Sequence, residues 1–176
     1  CIKRIHQWKN KFDGIENSNN LICLHWQGNP DSEYGTTRDR SFKLHLLKPL
    51  LKSIRNVIWI PIQRGVGREQ EADANLMPYL ESGINATKNA FDYADIAALL
   101  KISKLLITND SGICHLAGGM GVHTLLLLNT VSEWRWGHTG TNQPWYNNTK
   151  LIRVNSMIHL RDSIPQLKSL IQDYLS

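Results

Sequence analysis

A short polar turn between two apolar segments carries groups that could bind an anion. Leu105–Thr108 is a short apolar run, which predicts a buried strand, and Asp110 or Ser111 could cap a helix that starts directly after it. The N–H groups at the start of a helix bind phosphate well, and Gly112 has no Cβ that would keep a ligand from the backbone. His115 lies four residues after Ser111 and shares its helix face. The segment therefore predicts a site for a phosphate-bearing ligand.

Two further loops follow apolar segments and contain glycine beside polar residues. Trp26–Pro30 begins a long loop that continues to Arg38 and Arg40, which could bind phosphate through two hydrogen bonds each or remain solvated. Gln63–Arg68 contains two glycines, but the third glycine of the dinucleotide-binding fingerprint would fall at Gln70. No Walker motif occurs, so a dehydrogenase and a P-loop NTPase are both disfavoured.

Aromatic residues are dense between Asn129 and Asn148. Trp134, Trp136 and the run Pro144–Tyr146 could stack on a sugar or a base, or could pin a long loop to the body of the protein. A serine hydrolase is disfavoured, because the nucleophile elbow requires a glycine two residues before the serine and Asn109 stands there.

Composition sets limits on the class of protein. The 176 residues fit one domain, and the basic residues behind the net charge of +5 are scattered, which does not indicate nucleic-acid binding. The three cysteines do not form a disulfide framework, and no Cys/His cluster has zinc spacing, so we expect neither a metal site nor a cofactor. No apolar run approaches 18 residues and no signal peptide occurs, so we expect a cytoplasmic protein without a membrane span. A first residue Cys1 rather than Met suggests a piece of a longer polypeptide.

Strands alternate with helices along the chain, which predicts an α/β fold with a doubly wound parallel sheet. Ligands of such sheets bind beyond the carboxyl ends of the strands, where the loops above are located. We expect Tyr93 to face inward from its helix and Pro49 to kink or end the helix that contains it. The predicted strands are Leu21–Trp26, Asn56–Ile62, Ile84–Ala86, Leu105–Thr108, Thr124–Leu128 and Leu151–Val154. The predicted helices are Ile2–Phe12, Phe42–Ile54, a weak one near Arg68–Tyr79, Asp92–Ile102, one after Ser111 that stops at Gly121, and Ser163–Leu175.

These motifs resemble those of a known family. Asp110-Ser-Gly-x-x-His115-x-Ala117-Gly-x-x-Gly121 looks like the signature of heptosyltransferase-like glycosyltransferases, in particular of bacterial proteins in which tetratricopeptide repeats precede such a domain. The similar segments, in order, are Leu24–Asn29, Arg38–Ser41, Gln63–Gly67, Tyr93–Ala98, Asp110–Gly121, Glu133–Trp136 and Pro144–Tyr146.

The resemblance implies the C-terminal, donor-binding half of a two-domain GT-B glycosyltransferase. Such enzymes are inverting, independent of metal, and use nucleotide-diphosphate sugars. Ser111, Gly112 and His115 would face the diphosphate, Arg40 would lie near the phosphates, and Gln63 near the nucleotide. The implied donor-binding set is Gln27, Gly28, Arg40, Gln63, Asp110, Ser111, Gly112 and His115, with Trp26, Trp134 and Trp136 as sugar or base contacts.

The implied domain organisation leaves the acceptor-binding half outside this chain. Residues 1–20 would be a linker helix and loop that remain from the inter-domain connection, and residues 21–176 the nucleotide-sugar-binding domain. Because the acceptor half usually supplies the general base, we assign no catalytic residue and expect no activity without that half. Two alternatives remain open: a non-catalytic module that binds a nucleotide or a partner protein, and a sugar-nucleotide epimerase.

Overall fold

Five parallel strands form one sheet in the computed structural model, which describes residues 2–32, 40–87 and 92–176. Their order across the sheet is β2-β1-β3-β4-β5, and in the register Cys23 lies between Ile60 on one side and Leu106 on the other. Almost every strand residue is buried, as expected for a parallel sheet that is covered on both faces. The predicted doubly wound α/β fold is confirmed. The strands are β1 (Leu21–Leu24), β2 (Ile58–Pro61), β3 (Leu105–Asn109), β4 (Thr124–Asn129) and β5 (Thr149–Val154).

Helix side chains pack into separate apolar clusters, of which two are large. Leu50 and Leu167 belong to the larger cluster, whereas Phe12, Leu99 and Ala117 belong to the other. No described helix has both the length and the apolar character needed to cross a membrane. The helices are α1 (Ile2–Phe12), α2 (Lys48–Ser53), α3 (Met77–Thr87), α4 (Tyr93–Ile102), α5 (Gly112–Gly119) and α6 (Ile164–Leu175).

Helix α1 is fastened to the start of α4. Arg4 forms ion pairs with Asp92 and Asp95, and Trp8 Nε1 donates a hydrogen bond to Asp95 Oδ1 at 3.1 Å. Asp92 and Asp95 also cap α4 reciprocally, each side chain accepting from the other residue's backbone N–H. Together with the buried side chains of Trp8 and Phe12, these contacts fix α1 against the domain.

The strand predicted at Ile84–Ala86 is wrong, because these residues form the last turn of α3. Leu80, Gly83 and Thr87 are buried at helical spacing, and a Cβ at Gly83 would overlap the carbonyl of Trp59 in β2. The close contact of α3 with β2 stabilises a helix where three residues alone predict a strand. The weak helix predicted near Arg68–Tyr79 is a 3₁₀ turn at Arg68–Ala72 followed by the start of α3 at Met77.

Two smaller expectations also fail for local reasons. Pro49 lies in the first turn of α2, where its missing N–H costs nothing, so it starts the helix after a 3₁₀ turn at Leu44–Leu47 instead of kinking it. Tyr93 is not directed inward: 70% of its surface is exposed, whereas Ile96 and Leu99 are buried. Tyr93 is the first residue of α4 and lines the cavity described below.

Candidate functional site

A cavity of about 540 Å³ lies at the carboxyl ends of β1, β2 and β3. Its volume is within the range that small-molecule sites occupy. Several of the residues proposed from sequence line it, namely Gln27, Gly28, Arg40, Gln63, Ser111 and Gly112, together with His25, Arg64, Val66, Asp92, Tyr93 and Ile96. The rule that ligands bind beyond the carboxyl ends of parallel strands thus leads to one concave site.

The Gln63 side chain joins the loops that follow β1 and β2. Its Oε1 accepts hydrogen bonds from the backbone N–H groups of Trp26 and Gln27 at 3.2 and 3.0 Å. Its Nε2 donates to the carbonyls of Gln27 and Val66 at 3.1 and 2.9 Å. The Gln63 amide therefore connects the two loops that form these walls of the cavity.

Ser41 fixes the loop that carries Arg40. Its Oγ accepts from the backbone N–H of Gly28 at 2.9 Å and from Gln27 Nε2 at 3.0 Å. Arg40, one residue earlier, is half-buried and lines the cavity. The other arginine proposed from sequence, Arg38, lies outside the described residues.

The turn from β3 into α5 leaves the helix start open. Of the two capping residues considered from sequence, Asp110 and Ser111, Ser111 occupies the N-cap position, but its side chain makes no capping hydrogen bond. Its Oγ lies instead 3.3 Å from His25 Nδ1. A Cβ at Gly112 would meet nothing within 4 Å, so the backbone here faces open space. The predicted helix stop is confirmed, since Gly121 has a φ of 69°.

His25 is a cavity residue to which sequence reasoning gave no role. It follows β1 directly, is buried, and places Nδ1 3.0 Å from Asn109 Oδ1. Burial lowers the pKa of His25 to about 4, although the hydrogen bond with Asn109 acts in the opposite direction. The available signal was a titratable ring at the carboxyl end of an apolar strand.

His115 makes its contacts away from this lining. Its Nδ1 lies 2.9 Å from the Tyr146 hydroxyl, and its ring stacks on Trp136 with centroids 5.4 Å apart at 17°. Ser111 and His115 therefore have different neighbours, although both belong to the β3–α5 segment. His115 is not among the described residues that line the cavity.

Asp110, Cys114 and His115 place one potential metal-ligating atom each within 4.8 Å of one another. Oxygen, sulfur and nitrogen donors of this kind suit zinc. Burial raises the pKa of the Cys114 thiol to about 12, which opposes the thiolate form that a metal requires. The expectation of a metal-free site stays a prediction.

The three tryptophans proposed as sugar or base contacts differ in exposure. Trp26 is fully buried and donates through Nε1 to the Gly67 carbonyl at 3.1 Å, and Trp136 is buried against His115. Trp134 is 64% exposed and meets Trp145, itself 51% exposed, edge to face at 6.2 Å. Of the three, Trp134 offers the surface on which a ring could stack.

No protein-family profile matches the chain, and no curated protein matches it in sequence. Solved structures do match its fold. The ADP-heptose lps heptosyltransferase II of E. coli gives a TM-score of 0.67 at 16% identity over 100% of this chain and 53% of its own. A glycosyl transferase family 9 protein from Veillonella parvula gives 0.58 at 14% identity over 96% and 44%.

The chain has the fold of one part of these two GT-B structures. It spans about half the length of these two similar structures. The C-terminal CMP-Kdo binding domain of WaaA from Acinetobacter baumannii covers 100% of both chains at 10% identity, but its TM-score of 0.42 is too low to equate the folds.

Proposed function

We propose that this chain is the donor-binding domain of an inverting, metal-independent glycosyltransferase and that its cavity holds the diphosphate of a nucleotide sugar. One observation carries the proposal: the open start of α5 at Ser111 and Gly112 and the guanidinium of Arg40 line the same cavity. A helix N-terminus directs backbone N–H groups at an anion, and an arginine can hold phosphate through two parallel hydrogen bonds.

The proposed chemistry needs this charge arrangement. In an inverting transfer, an acceptor oxygen attacks the anomeric carbon while the bond from that carbon to the diphosphate breaks on the opposite face. The electron pair of the broken bond remains on the leaving diphosphate, whose growing charge the helix dipole and Arg40 would stabilise. The proton of the acceptor hydroxyl would go to a base in the acceptor-binding half.

The apolar part of the cavity suits the base of the nucleotide. Val66 and Tyr93 are 57% and 70% exposed and line the cavity from different elements, with Ile62 and Ile96 also in the lining. Exposed apolar side chains converging on one cavity favour a planar apolar group between them. We place the base beside Tyr93 and Val66.

The domain organisation belongs to the same proposal. Residues 21–176 would form the donor-binding domain, and residues 1–20 would remain from the connection to an acceptor-binding domain in the same or a longer polypeptide. Without that partner the cavity would bind donor but transfer no sugar, because positioning one reactant alone does not produce reaction.

Thermal unfolding with ADP, UDP, GDP and CDP, each beside its nucleoside, tests the proposal. A ligand at about 100 times its Kd should add roughly 2.7 kcal/mol of stability. Arg40→Ala should weaken binding of the preferred diphosphate by about tenfold or more and leave the nucleoside nearly unaffected. Arg161→Ala, a change at an exposed arginine outside the cavity lining, is the matched control. Equal losses for diphosphate and nucleoside, or no stabilisation by any diphosphate, would contradict the proposal.

A further inference from the structure

His25 is the buried titratable group of the cavity, and the proposed function has so far given it no task. It lies at the carboxyl end of β1, beside the open start of α5. The three side-chain oxygens around it come from one stretch of chain, since Thr108 and Asn109 end β3 and Ser111 precedes α5. What happens at His25 is therefore tied to the geometry of the anion-binding segment.

The surroundings of the ring distinguish its two nitrogens. Nδ1 lies 3.0 Å from Asn109 Oδ1, 3.3 Å from Ser111 Oγ and 3.4 Å from Thr108 Oγ1. A carboxamide oxygen can only accept, so the contact with Asn109 favours a proton on Nδ1. All three contacts involve Nδ1, so within the described residues Nε2 has no hydrogen bond. In the neutral ring Nε2 then carries the lone pair.

A lone pair beside a bound diphosphate would be unfavourable, because two hydrogen-bond acceptors repel each other. A proton on Nε2 turns the same atom into a donor with a positive charge. Charge-assisted hydrogen bonds of this type are about twice as strong as neutral ones. The entry of a doubly charged anion therefore changes which form of His25 is favoured.

Resting on the proposed function, we propose that His25 takes up one proton from solvent as the diphosphate of a nucleotide sugar enters the cavity. The resulting imidazolium would donate from Nε2 to a phosphate oxygen and from Nδ1 to Asn109. His25 would then act as a binding residue that becomes charged only when its anionic partner is present, and would hold the β3–α5 turn against the ligand.

The charges that face the cavity agree with this behaviour. Burial holds His25 neutral in the empty site, and the cavity lining also contains the cationic side chains of Arg40 and Arg64. Asp92 faces the cavity too, but it is paired with Arg4, and Tyr93 adds a phenol to the lining.

On the β3 side, Asp110 follows Asn109 directly and adds an acidic residue to the segment that contacts the ring. The empty cavity thus combines groups of both signs. A bound diphosphate adds negative charge at the lining itself and shifts the balance toward imidazolium.

Nitrogen NMR of the histidine rings in the unmodified chain tests the proposal directly. At about pH 6 we expect His25 to be neutral with its proton on Nδ1 in the free chain, and to become imidazolium on saturation with UDP-glucose, GDP-mannose or ADP-glucose. The diphosphate diesters of these probes keep both of their negative charges through this range, so a proton taken up belongs to the protein. A ring that stays neutral at saturation would overturn the proposal.

Affinity measured against pH gives a second readout. Because the ligand favours the protonated ring, its affinity should rise about four- to fifteenfold from about pH 7 to about pH 5.5. His25→Gln should bind more weakly with little pH dependence, and His6→Gln, at an exposed position of α1, should keep the rise. Binding without this pH dependence overturns the proton uptake alone. Failure of all three probes to bind overturns the proposed function together with it.

Discussion

The hydroxyl of Tyr146 lies 2.9 Å from Nδ1 of His115. This contact joins the aromatic loop, residues 130–148 between β4 and β5, to helix α5. The sequence motifs Asp110–Gly121 and Pro144–Tyr146 thus meet in space. Trp136 completes the group by stacking on the His115 ring. The loop is held by these side chains at the helix that begins in the candidate site.

We predict that Tyr146→Phe lowers the free energy of unfolding by about 0.5–1.5 kcal/mol, since one hydrogen bond to a half-buried ring is lost. Urea denaturation measures the change. Tyr174→Phe is the control, because Tyr174 packs against the core and has an aromatic contact with His123, which the phenyl ring retains. Similar losses of unfolding free energy in both variants would show that the hydroxyl of Tyr146 contributes no more to stability than that of Tyr174.

Substitution by alanine should affect stability differently at two adjacent glycines of α5. A Cβ at Gly118 would overlap the Tyr146 ring, whereas one at Gly119 would meet nothing within 4 Å. We expect Gly118→Ala to cost about 1–3 kcal/mol through overpacking, and Gly119→Ala to be neutral or to stabilise by up to about 1 kcal/mol through helix propensity. Thermal or urea unfolding of both variants decides, and a destabilised Gly119→Ala would contradict the described packing.

Gly112→Ala tests close approach of a ligand to the start of α5. The new methyl group meets open space within the protein, so we expect unfolding to change by less than about 1 kcal/mol. Binding of a nucleoside diphosphate should nevertheless weaken about tenfold or more, because the methyl group lies where the phosphate would approach. Gly119→Ala, at the other end of the helix, should bind normally. Calorimetric titration measures all three chains.

Glu71 should make stability fall as the pH rises. Burial raises the pKa of Glu71 from its ordinary 4.5 to about 7, despite the opposing charge of Arg68. The folded chain thus holds a proton that the unfolded chain has already released, and stability present below about pH 4.5 is lost progressively up to about pH 7. Because glutamine does not ionise, we expect Glu71→Gln to remove this pH-dependent loss of stability, which should be on the order of 1–3 kcal/mol.

Urea unfolding of Glu71→Gln and of the unchanged chain at about pH 5 and about pH 7.5 measures this effect. His25, with its lowered pKa, changes stability in the opposite direction over part of this range, so the difference between variant and unchanged chain is the quantity to compare. Glu81→Gln, at an exposed position of α3, is the control. A pH-independent difference for Glu71→Gln would show that its carboxyl group is not held protonated.

Arg153 should control the order of the aromatic loop. Its Nε donates to the Gly140 carbonyl at 2.8 Å, its Nη1 to Ser132 Oγ at 3.1 Å, and its Nη2 to the Gly137 carbonyl at 3.2 Å. Lysine cannot reproduce this set, so we expect Arg153→Lys to cost about 1–3 kcal/mol and to speed amide exchange in residues 132–140. Arg161→Lys should leave that exchange unchanged. Unaltered exchange in Arg153→Lys would contradict the role.

The strands could be predicted from sequence because a parallel sheet is buried on both faces. Apolar runs such as Leu105–Thr108 and Thr124–Leu128 have no alternation to confuse their assignment, and the structure extends each by only one residue. The α3 region failed because the close contact of Gly83 with Trp59 is a tertiary effect, which a short window around Ile84 does not contain.

Part of the candidate site could also be predicted. The rule that strand ends gather at one edge brings Gly28, Arg40, Gln63 and Gly112 into one cavity. The surroundings of His115 could not be predicted, because helix spacing relates it to Ser111 while its stacking partners lie more than twenty residues further along the chain. His25 could not be recognised as a site residue from sequence either, since its importance depends on its burial and on its contact with Asn109.

The contact between Gly83 and the carbonyl of Trp59 has a consequence beyond packing. Ile58 and Ile62 donate their backbone N–H groups toward the β1 side. Backbone groups of successive strand residues point to alternate sides, so the carbonyl of Trp59 points to the outer side of this end strand. Outward backbone groups of an end strand are a template for pairing with another chain. By bringing helix backbone against that carbonyl, a residue without a side chain protects the protein from joining its neighbours into a continuous intermolecular sheet.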